Sequence, residues 1–321
     1  MYYPLDHLGV AADHPLLRLG QLLAKRGYRF TTITPLSHQR VNARPGNREA
    51  RTLEDVFGWS RPFRESLVGA ELFALLRDAD ALEAQGELWS SRVRWSSLDG
   101  HLFVHSRYPT TDADAVFFGP DTYRFAQALH QHLAGETRTA LRIADIGCGA
   151  GPGALFAALA KPQAEVLALD INDRALTCTA VNARLAGAAN LIPRHSDLLH
   201  QVDGPLDLII ANPPYMLDPA ERAYRHGGGE HGAGLSQAII EAALERLAPG
   251  GSLLLYTGVA MFGGRDPFRD SFQPLLDAHA WPWRYREMDP DVFGEELDNP
   301  LYAQADRIAA VVLELTRPAN G

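Results

Sequence analysis

A loop rich in hydrogen-bond acceptors, here called the acceptor loop, follows the apolar run LDLIIA. Residues 206–211 form this run, and they lead directly into Asn212-Pro213-Pro214-Tyr215. Two successive prolines fix the backbone and leave carbonyls without a neighbouring N–H, while the Asn212 side chain adds an acceptor. If that side chain and the Pro213 carbonyl each accept one hydrogen of an NH2 group, the nitrogen lone pair is directed at an incoming carbon. Tyr215 would lie against this planar group and stabilise positive charge on the nitrogen. A plain Pro-Pro turn is the alternative.

A glycine-rich turn is the second chemical feature. The run LRIADI at 141–146 continues into GCGAGPG at 147–153 and then into an alanine-rich segment. Glycines let the backbone turn sharply and approach a ligand closely, and Pro152 suits the first turn of a helix. The spacing predicts a nucleotide-type ligand, with a tight structural turn as the alternative. It lacks the third glycine of the G-x-G-x-x-G pattern, which disfavours a nicotinamide cofactor.

Two carboxylates follow apolar runs further along the chain. Asp170 ends the run VLAL, and a carboxylate at the tip of the second strand of such a sheet can accept both hydroxyls of a ribose. Asp197, in HSDLL, could accept the exocyclic amine of an adenine. Helix capping and turn formation are the respective alternatives. Because ligands bind at the carboxyl ends of strands in open α/β sheets, these loops are predicted to face one crevice.

Strands and helices must alternate to hold these loops at one edge. After about residue 110, short apolar runs alternate with amphipathic stretches, which is typical of a sheet covered by helices on both faces. The predicted fold class is α/β, a Rossmann-like mixed sheet of seven strands preceded by a smaller α+β domain. The predicted strands are 141–146, 165–170, 190–194, 206–211, 252–258, 283–288 and 307–316, and the predicted helices are 153–160, 173–186 and 235–247.

The first 110 residues have a different pattern. Leucines at helical spacing predict helices at 15–26 and 63–82, with a polar loop between them. The runs ELWSSRVRW and HLFVHSRY flank Asp99-Gly100, which predicts a hairpin of two strands. Helices followed by a hairpin suit a winged-helix-like module. The predicted division is an N-terminal substrate-recognition domain, 1–110, and a catalytic domain, 111–321.

Composition excludes several classes of protein. The chain has 321 residues, of which 46% are hydrophobic, and this is too apolar for a disordered protein. No run of about 18 apolar residues predicts a membrane span, and two cysteines cannot form a disulfide scaffold. We therefore expect a cytoplasmic protein that does not bind membranes.

Charge bears on the type of partner. The net charge of −9 argues against a protein that mainly binds phosphate backbones. Residues 25–64 nevertheless hold nine Lys and Arg against three Asp and Glu, and this arginine-rich stretch could contact RNA or an acidic partner. A solvated loop with outward-pointing arginines is the alternative.

The series DIGCGAGPG, ALDIN, NARLAG, SDLL and IIANPPY resembles the class I S-adenosylmethionine-dependent methyltransferases, in the branch with an NPPY loop. That branch includes the release-factor glutamine methyltransferases and the amino-methyltransferases of adenine and guanine in DNA and RNA. The resemblance covers residues from about 112 to 317. It implies S-adenosylmethionine as the cofactor and a planar nitrogen as the methyl acceptor.

The resemblance also implies roles for individual residues. Most of the implied cofactor contacts lie in or next to the glycine turn, or at and after the ends of the second and third strands. Two more lie in the segment FFGPDTYRFA, which would cap the cofactor; the alternative is that its aromatic rings pack in the core. The implied cofactor contacts are Phe118, Tyr123, Asp145, Gly147, Cys148, Gly149, Gly151, Asp170, Ile171, Ser196, Asp197, Leu198 and Asn212. The implied catalytic residues are Asn212, Pro213 and Tyr215.

The segment RHGGGEHGAGL, residues 225–235, is similar to the glycine-rich loop that follows NPPY in the release-factor enzymes. It predicts a mobile loop that covers the substrate, with a disordered linker as the alternative. His226, Glu230 and His231 have the residue types of metal ligands. The glycines between them disfavour a helical ligand face, so we expect no metal.

The predicted activity is N-methylation of a planar nitrogen, with a glutamine-type amide of a protein or peptide as the favoured substrate. A nucleobase amine in RNA or DNA and a small-molecule nitrogen are the alternative substrates. A catalytically inactive binding partner with the same fold is the non-enzymatic alternative. The intact glycines, acids and NPPY loop disfavour it.

Overall fold

The computed structural model describes residues 5–218, 220, 222 and 224–319. Its helices are α1 (Pro15–Lys25), α2 (Pro35–Asn42), α3 (Leu53–Phe57), α4 (Glu65–Asp78), α5 (Pro120–Gly135), α6 (Pro152–Ala160), α7 (Asp173–Ala186), α8 (Gly234–Arg246) and α9 (Pro267–His279). Its strands are β1 (Leu82–Gln85), β2 (Leu88–Ser91), β3 (Val93–Leu98), β4 (His101–Ser106), β5 (Arg142–Ile146), β6 (Glu165–Asp170), β7 (Leu191–His195), β8 (Leu206–Ala211), β9 (Leu247–Met261), β10 (Trp283–Asp289) and β11 (Arg307–Thr316). Short 3-10 helices lie at Asp6–Leu8, Glu230–Gly232, Gly294–Asp298 and Pro300–Tyr302.

Seven strands form the central sheet in the order β10-β11-β9-β8-β5-β6-β7. The pairs from β9 to β7 are parallel, and β11 runs antiparallel to both of its neighbours. The chain winds from β5 through β6 to β7 and then returns to β8 on the other side of β5. The strand order therefore reverses between β5 and β8, and ligands bind at such a switch point in open α/β sheets.

Apolar side chains alternate between the two faces of the sheet, and each face has its own core. One core joins β5, β6 and β8 to α5, α6 and α7, and it includes the apolar residues of the N-terminal segment. The other core joins the opposite faces of the same strands to α8 and α9. Within the described ranges, none of the helices is long and apolar enough to cross a membrane.

The secondary-structure predictions for residues 111–321 are confirmed, with six strands and three helices within one residue of the predicted bounds. The seventh strand, β9, extends from 247 to 261 and is longer at both ends than the predicted 252–258. In the N-terminal part, α1, α4 and the hairpin β3–β4 are confirmed, and Asp99 and Gly100 both have positive φ, as a two-residue hairpin turn requires. The run ELWSSRVRW is divided into β2 and β3, because β2 pairs with β1 and β3 pairs with β4. The sequence reasoning did not predict α2, α3, α5, α9 or β1, and the predicted helix 63–82 ends at Asp78, before β1 begins at Leu82.

The N-terminal segment, residues 5–110, packs directly on α7. Asn182, which is buried on α7, accepts a hydrogen bond from the Val104 N–H at 2.8 Å and donates to the Val104 carbonyl at 3.3 Å. It also donates to the Ala150 carbonyl in the glycine-rich turn at 2.8 Å. One side chain thus connects the β3–β4 hairpin to the turn predicted to bind the cofactor.

Replacing Asn182 with alanine is expected to lower the free energy of unfolding by about 2–4 kcal/mol, because it leaves buried backbone groups of Val104 and Ala150 without partners. Urea denaturation measures this change. Thr177→Ala on the same helix, which alters an exposed hydroxyl bonded to the Asp173 carbonyl, is the matched control and should cost much less. Equal stability of the two variants would contradict the role given to Asn182.

Candidate active site

A cavity of about 210 Å³ opens at the carboxyl ends of β5, β6 and β8, where the strand order reverses. Twelve of the residues predicted from the sequence line it. They are Asp145, Gly147, Cys148, Gly149, Asp170, Ile171, Ser196, Asp197, Leu198, Asn212, Pro213 and Tyr215. The glycine turn, the carboxylates and the acceptor loop therefore face one space.

The glycine turn between β5 and α6 presents backbone rather than side chains to this space. Gly147 and Gly149 have φ values of 69° and 57°, which residues with a Cβ rarely adopt, and a Cβ built on either would meet no described atom within 4 Å. Gly151 is the N-cap of α6 and has a φ of 81°, and a Cβ on it would lie 2.7 Å from Thr179 of α7. Gly151 therefore permits close packing of α6 and α7, while the other two glycines leave room for a ligand.

Asp145, at the end of β5, is almost fully buried below this turn. Its Oδ2 accepts a hydrogen bond from the Ala154 N–H in the first turn of α6 at 2.7 Å. Burial raises the pKa of Asp145 to about 7, because the charged form loses its hydration, and the nearby Asp170 acts in the same direction. The hydrogen bond from Ala154 opposes this shift. Asp145 therefore titrates near neutral pH in the folded protein.

The raised pKa predicts how stability depends on pH. The folded state binds the Asp145 proton more tightly than the unfolded state, whose pKa is near 3.8, so this group lowers stability as pH rises from about 4 to about 7. At about 1.4 kcal/mol per pKa unit, the loss is up to about 4 kcal/mol. Asp145→Asn should flatten this part of the pH profile, measured by urea denaturation from pH 4 to pH 8.

The charge-matched control for this profile is Asp13→Asn, which changes an exposed carboxyl in the N-terminal segment. It should keep the wild-type slope between pH 4 and pH 7. An unchanged slope in Asp145→Asn as well would assign the pH dependence to other groups.

Asp170 ends β6 with both carboxylate oxygens in use. Its Oδ2 accepts the Gly149 N–H at 2.9 Å, and its Oδ1 accepts the Asn172 N–H at 2.9 Å. Burial raises the pKa of Asp170, and these backbone N–H groups oppose the shift. The N-cap of α7 is Asn172, whose side chain accepts the Arg174 N–H. Asp170 therefore holds the glycine turn and faces the cavity, and the capping role belongs to Asn172.

The loop after β7 forms the side wall of the cavity. Ser196 is buried, and its hydroxyl donates to the Leu198 carbonyl at 2.9 Å. The Asp197 side chain is 70% exposed and lies 3.6 Å from His200. Ile171, after β6, is 53% exposed although it is a large apolar residue. These residues give the outer part of the cavity an apolar surface next to a solvated carboxylate.

The acceptor loop begins directly after β8, with Asn212 half-buried and Tyr215 7% exposed. The Tyr215 hydroxyl donates a hydrogen bond to Asp121 Oδ2 on α5. Its ring lies 6.2 Å from the Phe293 ring, and a Cβ on Gly258 of β9 would lie 2.1 Å from it. Asn212 and Tyr215 thus line the cavity that Asp170 lines, and Tyr215 is held on several sides.

Comparison with known proteins gives the family. Residues 112–261 match the methyltransferase small domain family. The release factor glutamine methyltransferase of Deinococcus radiodurans is 33% identical, over 69% of this chain and 82% of that protein. That of Moorella thermoacetica is 31% identical, over 64% and 77%. This chain belongs to the class I S-adenosylmethionine-dependent methyltransferases, in the release factor glutamine methyltransferase branch.

The family and the fold class predicted from the sequence are therefore confirmed for this methyltransferase. A shorter match is the 4-amino-L-phenylalanine/4-methylamino-L-phenylalanine methyltransferase of Streptomyces pristinaespiralis, 34% identical over 34% of this chain and 41% of that protein. A solved S-adenosylmethionine-dependent methyltransferase from Agrobacterium tumefaciens is 18% identical, with a TM-score of 0.48, over 74% of this chain and 72% of that chain.

The aromatic residues predicted to cap the cofactor lie outside the cavity wall of the methyltransferase. Phe118 is buried and stacks on His105 with ring centroids 5.0 Å apart, and the Tyr123 hydroxyl accepts the Thr32 N–H at 2.9 Å. Both side chains face the N-terminal segment. Phe117 lines the cavity instead. The structure therefore gives Phe118 and Tyr123 the core-packing role, which was the alternative.

The glycine-rich segment packs against the acceptor loop. The Met216 N–H donates to the Arg225 carbonyl at 3.0 Å, and the Gly227 N–H donates to the Met216 carbonyl at 2.9 Å. A Cβ on Gly227 would lie 2.7 Å from Tyr215 Cα, and one on Gly232 would lie 2.2 Å from the Tyr215 carbonyl oxygen. The glycines are thus required where two backbones meet.

The histidines of this segment have local partners. His226 Nδ1 accepts the Asp218 N–H at 3.2 Å, and the His231 ring packs against Phe262 at 4.4 Å. The side chain of Glu230, the third candidate metal ligand, lies outside the described residues. The described part of the chain contains no group of three His, Cys, Asp or Glu residues placed to hold a metal.

Several cavity residues were missed by the sequence reasoning. Asp121, Tyr224, Arg225 and Phe293 all line the cavity. Asp121 carried a usable signal, since it follows Gly119-Pro120 at the start of a helix in the segment that resembles the family. Phe293 carried none, because it comes from the C-terminal segment between β10 and β11, far along the chain from the other loops.

Proposed function

We propose that this methyltransferase transfers a methyl group from S-adenosylmethionine to the side-chain amide nitrogen of a glutamine in a protein, with a release factor as the first candidate substrate. The observation that carries the proposal is the shared cavity, in which the Asn212 loop faces the glycine turn and Asp170. The names of the relatives support the amide and the protein substrate. A glutamine amide offers the planar NH2 group for which the loop is suited.

The residues of the cavity fit the proposed cofactor. Gly147 and Gly149 leave open space where other residues would place a Cβ, which gives a flat backbone surface for a ligand. In this proposal Asp170 accepts the ribose hydroxyls, Asp197 accepts the adenine amine, and Ile171 packs against the adenine ring. Cys148, Ser196 and Leu198 complete the wall, and Asp145 supports the turn from below. When bound, S-adenosylmethionine supplies a methyl group that its sulfonium charge already activates.

The residues of the chain contribute mainly alignment in the proposed mechanism. The Asn212 side chain and the Pro213 carbonyl each accept one hydrogen of the substrate amide, which orients its nitrogen and returns electron density to it. The Tyr215 ring stabilises positive charge on that nitrogen. Alignment of this kind can contribute roughly 7–11 kcal/mol through avoided entropy loss and solvent reorganisation. No general base is assigned, since the proton can leave after the transfer.

Residues 5–110 are proposed to recognise the substrate protein. This segment packs on α7 beside the catalytic part, and its arginine-rich stretch leaves Arg26, Arg29, Arg40 and Arg44 exposed. Exposed guanidinium groups bind carboxylates or phosphates, so an acidic surface of the substrate or associated RNA would complement them. The proposed compartment is the cytoplasm, in keeping with the free thiols of Cys148 and Cys178.

The test is methyl transfer from tritiated S-adenosylmethionine to three acceptors in parallel: a purified release factor, total RNA and 4-amino-L-phenylalanine. Label on the release factor, mapped by mass spectrometry to a glutamine side chain and absent when that glutamine is replaced by alanine, is expected. Label confined to RNA or to the amino acid would overturn the proposal.

A second candidate substrate is an arylamine of a small molecule, favoured by the 34% identity to the 4-amino-L-phenylalanine enzyme. An aniline nitrogen is also planar and would suit the same loop. The match covers 41% of that relative, whereas the Deinococcus alignment covers 82% of its protein, so the protein glutamine is preferred. Turnover of 4-amino-L-phenylalanine at a higher kcat/KM than the release factor would reverse this preference.

A further inference from the structure

Asp121 is a buried carboxylate with no role in the reaction described so far. It lies in the first turn of α5, is 2% exposed and lines the cavity beside the acceptor loop. Its Oδ2 accepts the Tyr215 hydroxyl, and its Oδ1 accepts the Tyr256 hydroxyl of β9 at 2.6 Å. Arg124 donates to Oδ1 at 3.2 Å. One carboxylate therefore joins α5, the acceptor loop and β9.

A carboxylate at this position is costly unless it is fully paired. Burial raises the pKa of Asp121, and the hydrogen bonds from Tyr215, Tyr256 and Arg124 oppose the shift. Arg124 is shared with Asp289 of β10 at 2.8 Å. The first turn of a helix also favours negative charge. Because the Asp121 carboxylate is buried and accepts hydrogen bonds from three side chains, it fixes the positions of those side chains.

Tyr215 has little freedom in this arrangement. A Cβ on Gly258 would lie 2.1–2.7 Å from three Tyr215 ring atoms, so the ring packs closely on the backbone of β9 at a position that only glycine permits. Phe293 meets the ring at an interplanar angle of 63°. The hydrogen bond to Asp121 fixes the remaining end, the hydroxyl. The ring thus keeps one orientation toward the cavity, and its hydroxyl is occupied by Asp121.

We propose that Asp121 is a positioning residue for methyl transfer, which holds the Tyr215 ring against the acceptor nitrogen and increases its electron density. A phenol that donates to a carboxylate has a more electron-rich ring, which strengthens its attraction to positive charge on the methylated nitrogen. This inference rests on the proposed function. It predicts that the contribution of Asp121 to turnover passes through the Tyr215 hydroxyl.

The test compares Asp121→Asn, Tyr215→Phe and the double variant. Each single variant should lower kcat about tenfold, with the KM of the release factor and the Kd of S-adenosylmethionine within about threefold of wild type. The double variant should lose no more than the larger of the two single losses, since both changes remove the same hydrogen bond from a phenol to a charged carboxylate. Multiplied losses in the double variant would overturn the proposal, as would kcat unchanged in Tyr215→Phe.

Tyr285→Phe is the matched control. The Tyr285 hydroxyl donates to Asp266 Oδ2 at 2.6 Å, a bond of the same type at the start of α9, among residues that pack on the other face of the sheet. A fall in Tm without a change in kcat is expected for this variant. If its kcat falls as far as that of Tyr215→Phe, the effect at Tyr215 is one of general stability and the proposal is wrong.

A measurement without substrate separates this inference from the proposed function. Amide hydrogen exchange at Met216 and Gly227, whose N–H groups join the acceptor loop to the glycine-rich segment, should be at least threefold faster in Asp121→Asn and Tyr215→Phe than in wild type. Unchanged exchange in both variants would overturn the positioning role whichever acceptor is methylated. Faster exchange in both variants, together with no methylated glutamine, would support the positioning role of Asp121 and reject glutamine as the substrate.

Discussion

Replacing Asn212 with alanine is expected to lower kcat for methyl transfer by about 100- to 1000-fold, the usual cost of removing one preorganised polar group that acts in the transition state. The affinity for S-adenosylmethionine should stay within about threefold of wild type. The reason is that Asn212 lies on the acceptor loop after β8, while the residues proposed for the ribose and adenine follow β6 and β7. Single-turnover kinetics and calorimetric titration measure the two quantities.

The matched control for this prediction is Asn190→Ala. Asn190 donates to the Lys161 and Ala164 carbonyls at 2.9 Å and 3.0 Å, at the opposite edge of the sheet from the cavity. This change should cost stability and leave kcat unaltered. Asn212→Asp keeps an acceptor oxygen and should retain more activity than Asn212→Ala. Unchanged turnover in Asn212→Ala would remove the loop from the mechanism.

Asp170→Ala is expected to weaken the binding of S-adenosylmethionine by about 100-fold, which corresponds to about 2.7 kcal/mol. The change removes the carboxylate proposed for the ribose hydroxyls, and it also leaves the Gly149 N–H, on the glycine turn, without its acceptor. Both effects weaken the binding of the cofactor rather than the binding of the substrate that receives the methyl group. Isothermal titration with S-adenosylmethionine and with S-adenosylhomocysteine measures the loss.

Asp173→Ala is the control for this second prediction. Asp173 lies three residues after Asp170, its side chain is 89% exposed, and it pairs with His195 at 3.1 Å. The Asp173→Ala substitution removes one negative charge from the same region and leaves the hydrogen bonds of the glycine turn intact. If both variants weaken binding equally, the effect of Asp170 is one of net charge, and its hydrogen bonds to the ribose are excluded.

Site residues at the ends of strands could be predicted from the sequence, whereas the aromatic residues that line the cavity could not. The glycine turn and Asn212 directly follow a strand, and Asp170 is the last residue of one. The alternation of strands and helices already places these points at one edge of the sheet. Their shared cavity is therefore a consequence of local pattern and chain order. Phe118 and Tyr123 were not predicted correctly in this way, because the direction of a side chain just before α5 or on its surface depends on what packs there, and Phe117 lines the cavity instead.

By itself the sequence determined the seven strands in their order along the chain and the loops that meet at the switch point, because short-range hydrophobic periodicity and glycine or proline positions fix local structure. The family was indicated separately, by the resemblance of the ordered motifs to known methyltransferases. Only the tertiary structure showed that Asp121 accepts a hydrogen bond from Tyr215, that Phe293 lines the cavity, and that Asn182 connects the N-terminal segment to the glycine turn. These hydrogen bonds join residues 32 to 94 positions apart, and no local pattern encodes them. They depend on which surfaces the packed helices and strands bring together.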